Sequence, residues 1–161
     1  KLQRPTLDRD IDPGADPARI GREAHHRCKG QDLRPLGHDA GDRVLTAFAQ
    51  TVTACIRSTD ILARWGGEEF VLLMASTSAA DGVALLERVR AVVQACPVVL
   101  ETGTTIHLTV SIGVAQLQPD QETPIGLLRR ADEALYAAKA QGRNRVVCAD
   151  PLMRETTVAA H

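Results

Sequence analysis

The 161-residue chain has no apolar run near the roughly 18 residues that a membrane-spanning helix needs. Its basic, polar start does not have the form of a signal peptide. Neither charge is in excess, with 19 Lys and Arg against 20 Asp and Glu. That balance gives no reason to expect a nucleic-acid partner or a membrane surface. The four cysteines (Cys28, Cys55, Cys96 and Cys148) make no CxxC pair, and the spacing predicts reduced thiols in a cytoplasmic protein. His25-His26-Arg27-Cys28 contains ligand-type side chains, but no second ligand pair follows at zinc spacing.

Apolar pattern is scarcest at the start. Ten of the first 36 residues are apolar, against 44% for the whole chain, and half of the eight prolines fall there. Those ten hold neither a period of 2 nor one of 3.6, so residues 1–36 read as an arm or linker without a strand. From Gly37 the pattern changes, and 37–150 reads as one domain, followed by a tail over 151–161.

Within that domain, Asp39 to Ser58 reads as a helix, with Val44, Leu45, Phe48, Val52, Cys55 and Ile56 on one stripe and Asp39 or Asp42 as its cap. Ile61–Arg64 and Phe70–Met74 flank Gly66-Gly67 as a β-hairpin expected at the centre of a sheet. Phe70 to Met74 has no alternation, which predicts cover on both faces. Ser78 to Ala95 is a second helix. Thr105 to Ala115 alternates cleanly and predicts one strand with one buried face. Pro124 to Gln141 is a third helix, opened by proline and closed by Gly142, and Arg145 to Cys148 is a last strand. Helices on a mostly antiparallel sheet make an α/β sandwich, in the α+β sense.

One stretch poses a chemical question. Arg64-Trp65-Gly66-Gly67-Glu68-Glu69-Phe70 sets two adjacent carboxylates after a glycine turn, between apolar strands. Acids in such a place are costly unless they face water or hold something positive.

Four segments in register give an answer. Gly66-Gly67-Glu68-Glu69-Phe70, Leu36-Gly37-His38-Asp39-Ala40-Gly41-Asp42, Ser111-Ile112-Gly113-Val114-Ala115 and the run from Ala134 to Asn144 resemble the signature segments of GGDEF domains, the bacterial diguanylate cyclases. The resemblance implies a palm-like fold and the condensation of two GTP into cyclic di-GMP. It implies a homodimer, since two GTP must meet head to tail, and a sensory or receiver domain preceding this one. It also implies Mg2+ or Mn2+, because charge on a triphosphate must be neutralised.

By the same resemblance, Glu68 is a metal ligand and possible base, and Glu69 is a second metal contact. Gly66 and Gly67 allow the nucleotide to approach without a Cβ clash. Asp42 reads the guanine edge, while serving also as a first-turn acid favoured by the helix dipole. Lys139 and Arg143 hold GTP phosphates, a task suited to cationic donors, although helices favour basic residues at their ends anyway. Arg57, Asp60 and Arg88 match the RxxD site at which cyclic di-GMP inhibits its own synthesis, and an arginine fork suits both phosphate and guanine. Ser111 and Gly113 read as packing positions.

Upstream of Leu36 the match breaks. Counting back from Gly37-His38 puts His25 where the family has a metal-binding aspartate, Gly30 at a lysine and Leu33 at a guanine-reading asparagine. Asp10-Ile11-Asp12 has suitable letters about fifteen residues too early. Divergence, insertion or a shifted reading frame each accounts for this. Divergence would leave a catalytically silent domain that binds cyclic di-GMP or GTP.

Overall fold

The computed structural model describes residues 22–28, 37–118 and 123–149, with 22–28 and 37–39 as backbone. The elements run β1 (Arg22–Cys28), α1 (Gly37–Cys55), β2 (Ile61–Gly66), β3 (Glu69–Met74), α2 (Ala79–Ala95), β4 (Val98–Val99), β5 (Thr105–Ile106), β6 (Val110–Ala115), α3 (Pro124–Ala140) and β7 (Val146–Cys148). Five strands form one sheet in the order β2-β3-β1-β6-β7, and β4 pairs with β5 apart from it. Every pairing in the large sheet is antiparallel except β6 with β7. This is the α+β sandwich that the sequence pattern predicts.

The centre of the sheet differs from expectation. The hairpin β2–β3 lies at one edge, and the middle place belongs to β1, in a stretch that reads as a linker without a strand. β1 is paired along both sides, with His26 opposite Phe70 of β3 and Ile112 of β6. Its sequence has no apolar alternation, because the apolar content of this region is carried by its neighbours. A strand specified by partners about 45 and 85 residues away has no local signal to read. The Asp10–Asp12 alternative, Gly30, Leu33 and the tail at 151–161 lie outside the described residues.

Three smaller departures have local causes. α1 begins at Gly37, so Asp39 and Asp42 lie inside the helix rather than capping it, and it stops at Cys55, where a turn closed by Asp60 takes over. The alternating run from Thr105 to Ala115 is split into β5 and β6 by His107-Leu108-Thr109. β6 is buried at all six positions rather than on one face. Val110, Ile112 and Val114 join Phe48, Val52, Phe70, Leu86 and Val89 in the main core, covered by α1 and α2. Ser111, Gly113 and Ala115 alternate with them and lie under α3. A Cβ on Gly113 would collide with the carbonyl oxygen of Ala131 and the backbone nitrogen of Leu135, and would stand 2.9 Å from Leu135 Cα. Small side chains therefore let α3 seat against the backbone of β6, which fixes where the C-terminal end of α3 comes to rest.

In the main core the rings of Phe48 and Phe70 meet at a centroid distance of 5.0 Å and a tilt of 52°. Such a pair contributes about 1 kcal/mol beyond the area it buries. It ties α1 to the strand that starts at Glu69. Ser78 and Thr123 cap α2 and α3, accepting from the backbone N–H groups of Asp81 and Gly126.

Candidate functional site

The hairpin tip is built for display. Arg64 pairs with Phe70 and Gly66 with Glu69, so Trp65 is an extra residue in β2, a bulge that re-aims the turn. Gly67 takes a φ of +42°, at the first central position of the turn, where hairpins call for glycine. Its carbonyl oxygen accepts from both Nε and Nη2 of Arg64, at 2.9 and 2.6 Å. A Cβ on Gly66 or Gly67 would meet no atom of the described residues within 4 Å, so among those residues the space over the turn is open. Glu68 is exposed in the turn itself, and Glu69, the first residue of β3, is half-buried. The two adjacent acids therefore occupy different environments.

From Glu69 a row of paired residues crosses the sheet. Gly66 faces Glu69, Glu69 faces Arg27, and Arg27 faces Ser111. At a strand spacing of about 4.8 Å, Ser111 is about 10 Å from Glu69. Ser111, 4% exposed, accepts from the backbone N–H of Asn144 at 3.1 Å. The turn after α3 is thereby brought to the same end of the sheet as the two glutamates.

A Schellman closure shapes that turn: Arg143 N donates to Ala138 O at 3.0 Å and Gly142 N to Lys139 O at 3.4 Å. Gly142 has φ +109°, and Arg143 and Asn144 follow at +62° and +47°. Two successive non-glycine residues in the left-handed region cost about 1 kcal/mol each, so contacts elsewhere must hold them. Arg143 is exposed, while Lys139, one turn earlier, is half-buried. Ser111, read from sequence as a packing position, is in fact a hydrogen-bond acceptor for this turn. Arg64 and Asn144 carry no signal in the sequence beyond membership of the motifs, because their partners are backbone or distant side chains.

Asp42 is exposed in the second turn of α1. It and Cys55 are thirteen residues apart in that helix, about 20 Å along its axis. Beyond Cys55, Asp60 Oδ2 accepts from Arg57 N at 2.9 Å, and Asp60 N donates to Arg57 O at 3.0 Å. Arg88 reaches over from α2 to donate to Cys55 O at 3.2 Å. Arg57, Asp60 and Arg88 are thus drawn together at the C-terminal end of α1, with both arginines exposed. Asp60 Oδ1 is buried without a hydrogen-bond partner among the described residues. Since β2 runs from Ile61 to Gly66, this cluster stands about 17 Å from the hairpin tip.

Among the described residues, no group of three or more His, Cys, Asp and Glu is arranged to hold a metal ion. At the positions of β1 nearest Glu69 stand Arg27 and Cys28, with His25 two residues along the strand, and none is a carboxylate. No helix among the described residues is long and apolar enough to cross a membrane.

Known proteins match this chain from α1 onward. The family model described as "Diguanylate cyclase, GGDEF domain" matches residues 34–145. The response regulator PleD of Caulobacter vibrioides is 45% identical over 113 residues, which is 70% of this chain and 25% of that protein. Diguanylate cyclase A of Treponema denticola is 43% identical over 110 residues, 68% of this chain and 29% of that protein. The chain thus spans about a quarter of the length of these curated relatives. Among solved structures, the GGDEF domain of DgcB from Caulobacter crescentus, in complex with c-di-GMP, superposes with a TM-score of 0.72 at 29% identity, covering 81% of this chain and 79% of that one. The active GGEEF domain of a diguanylate cyclase from Vibrio cholerae gives 0.69 at 27% identity, covering 81% and 85%.

Proposed function

This chain belongs to the GGDEF family of diguanylate cyclases, and on that premise we propose that it condenses two GTP molecules into cyclic di-GMP. Each 3′ hydroxyl oxygen attacks the α-phosphorus of the facing GTP. The bond from that phosphorus to the bridging oxygen breaks, two pyrophosphates leave, and each hydroxyl gives up its proton. One domain presents one GTP, so the working unit is a homodimer.

The observation that carries this reading is the hairpin tip: two carboxylates beside open space, on a turn fastened by Arg64. Two hard oxygen donors of this kind fit Mg2+, which is commonly held by one or two carboxylates together with substrate phosphates. When bound, the ion neutralises charge on the triphosphate and on the leaving pyrophosphate. Glu68, the more exposed of the pair, takes the hydroxyl proton in this reading. Lys139 and Arg143 bind phosphate oxygens from the far end of the cross-sheet row, and Asp42 accepts hydrogen bonds from the guanine edge. Arg57, Asp60 and Arg88 bind the product, with the two exposed arginines donating to its phosphates or stacking on its guanines.

A second reading is favoured by β1, which brings no carboxylate beside Glu69. In that reading the domain binds cyclic di-GMP or GTP without turnover. The test is GTP turnover with Mg2+, followed by chromatography of cyclic di-GMP, beside a titration with cyclic di-GMP. Turnover abolished by Glu68→Ala supports the cyclase. Absent turnover, with binding abolished by Arg57→Ala, identifies a receptor instead.

A further inference from the structure

The turn after α3 is held by a polar face of α2, and we infer that Asn144 is a positioning residue for the Arg143 guanidinium. This rests on reading Arg143 as a phosphate-binding residue. Asn144 spends all of its polar groups but its carbonyl on elements far away in the chain. Its backbone N–H donates to Ser111 Oγ on β6 at 3.1 Å. Its Nδ2 donates to Gln94 Oε1 at 3.0 Å, and its Oδ1 accepts from Arg90 Nη1 at 3.2 Å. Arg90 is itself fixed, donating from Nε to Glu87 Oε2 at 2.7 Å and from Nη1 to Gln94 Oε1 at 3.0 Å. The other oxygen of Glu87 accepts from Val146 N at 3.2 Å.

Glu87, Arg90 and Gln94 recur at steps of three and four, so they share one face of α2. That face grips both sides of Arg145, at Asn144 and at Val146, while Arg145 O accepts from Ile112 N at 2.9 Å. Arg143 makes no side-chain contact of this kind within the network. It is aimed by its backbone, whose left-handed φ is maintained by the residue that follows it. A guanidinium at the end of a long side chain covers several ångströms for a modest change in φ, so an anchored neighbour narrows where it points. Asn suits the position twice over: its side chain supplies both a donor and an acceptor, and it tolerates positive φ better than most residues.

The test is a double-mutant cycle read by titration with a non-hydrolysable GTP analogue in Mg2+, with cyclic di-GMP affinity and the thermal midpoint measured alongside. Asn144→Gly removes the side-chain contacts while still permitting positive φ, so it avoids the backbone penalty that Asn144→Ala would add. Arg143→Ala is expected to weaken analogue binding about tenfold or more, the scale of losing a charge-assisted hydrogen bond. Asn144→Gly weakens it severalfold and leaves cyclic di-GMP affinity unchanged. The double variant binds no more weakly than Arg143→Ala alone, since Asn144 acts through that arginine. Asn144→Asp, which keeps the oxygen that accepts from Arg90, recovers part of the loss. Additive losses in the double variant, or wild-type affinity in Asn144→Gly, overturn the inference while the phosphate role of Arg143 stands. Analogue binding that is absent in the wild type or indifferent to Arg143→Ala overturns both.

Discussion

Two turns meet at one end of the sheet, and they are held in opposite ways. The hairpin tip is fixed locally: glycine takes the positive φ without a Cβ penalty, and Arg64, three residues from Gly67, fastens its carbonyl. The turn after α3 places Arg143 and Asn144 in the same region of backbone space without glycine, and its anchors lie 33, 50, 54 and 59 residues away in the chain. A local device is cheap and portable. A non-local one works only when the whole domain has folded, so it couples the placement of a charged side chain to the integrity of α2, β6 and α3.

That contrast is open to breaking. The largest effect is expected from Gly113→Ala, which forces α3 away from β6 and so moves the Lys139–Arg143 end while leaving the tip alone. Overpacking against backbone costs about 3 kcal/mol, and urea denaturation should show that loss as a lower midpoint. Gly67→Ala is milder, because no atom of the described residues lies within 4 Å of the added Cβ and the backbone conformation is what is penalised. We expect about 1 kcal/mol in the same assay, with the loss confined to the tip. Arg64→Ala comes last, at about 0.5 kcal/mol, because its hydrogen bonds to Gly67 are exposed to water. A larger loss for Arg64→Ala than for Gly113→Ala would invert the comparison.

The same contrast explains what was legible in the sequence. Gly66-Gly67 between two apolar runs announces the hairpin, and the stripes of α1, α2 and α3 announce helices, because each signal is written within a few residues. The grouping of Arg57, Asp60 and Arg88 was legible only through the spacing of a known motif. β1 was not legible at all: Arg22 to Cys28 has no alternation, and its place follows from β3 and β6 on either side. The full burial of β6 is hidden from the sequence for a related reason. Ser111, Gly113 and Ala115 form the polar or small side of the alternation, which marks one buried face by itself, but smallness there serves the close approach of α3. Asn144 belongs to a recognisable motif, yet its contacts are made with α2.

In the proposed function, Glu68 and Glu69, displayed on the glycine turn, serve the condensation of GTP. The most direct measurement is cyclic di-GMP formed from GTP and Mg2+ by the wild type and by Glu68→Ala, each first shown to share one thermal midpoint. Product is expected from the wild type, with a loss of about a hundredfold or more in the variant, the scale of removing a positioned base or metal ligand. Equal product from both, or none from a folded wild type that still binds cyclic di-GMP, would contradict that role.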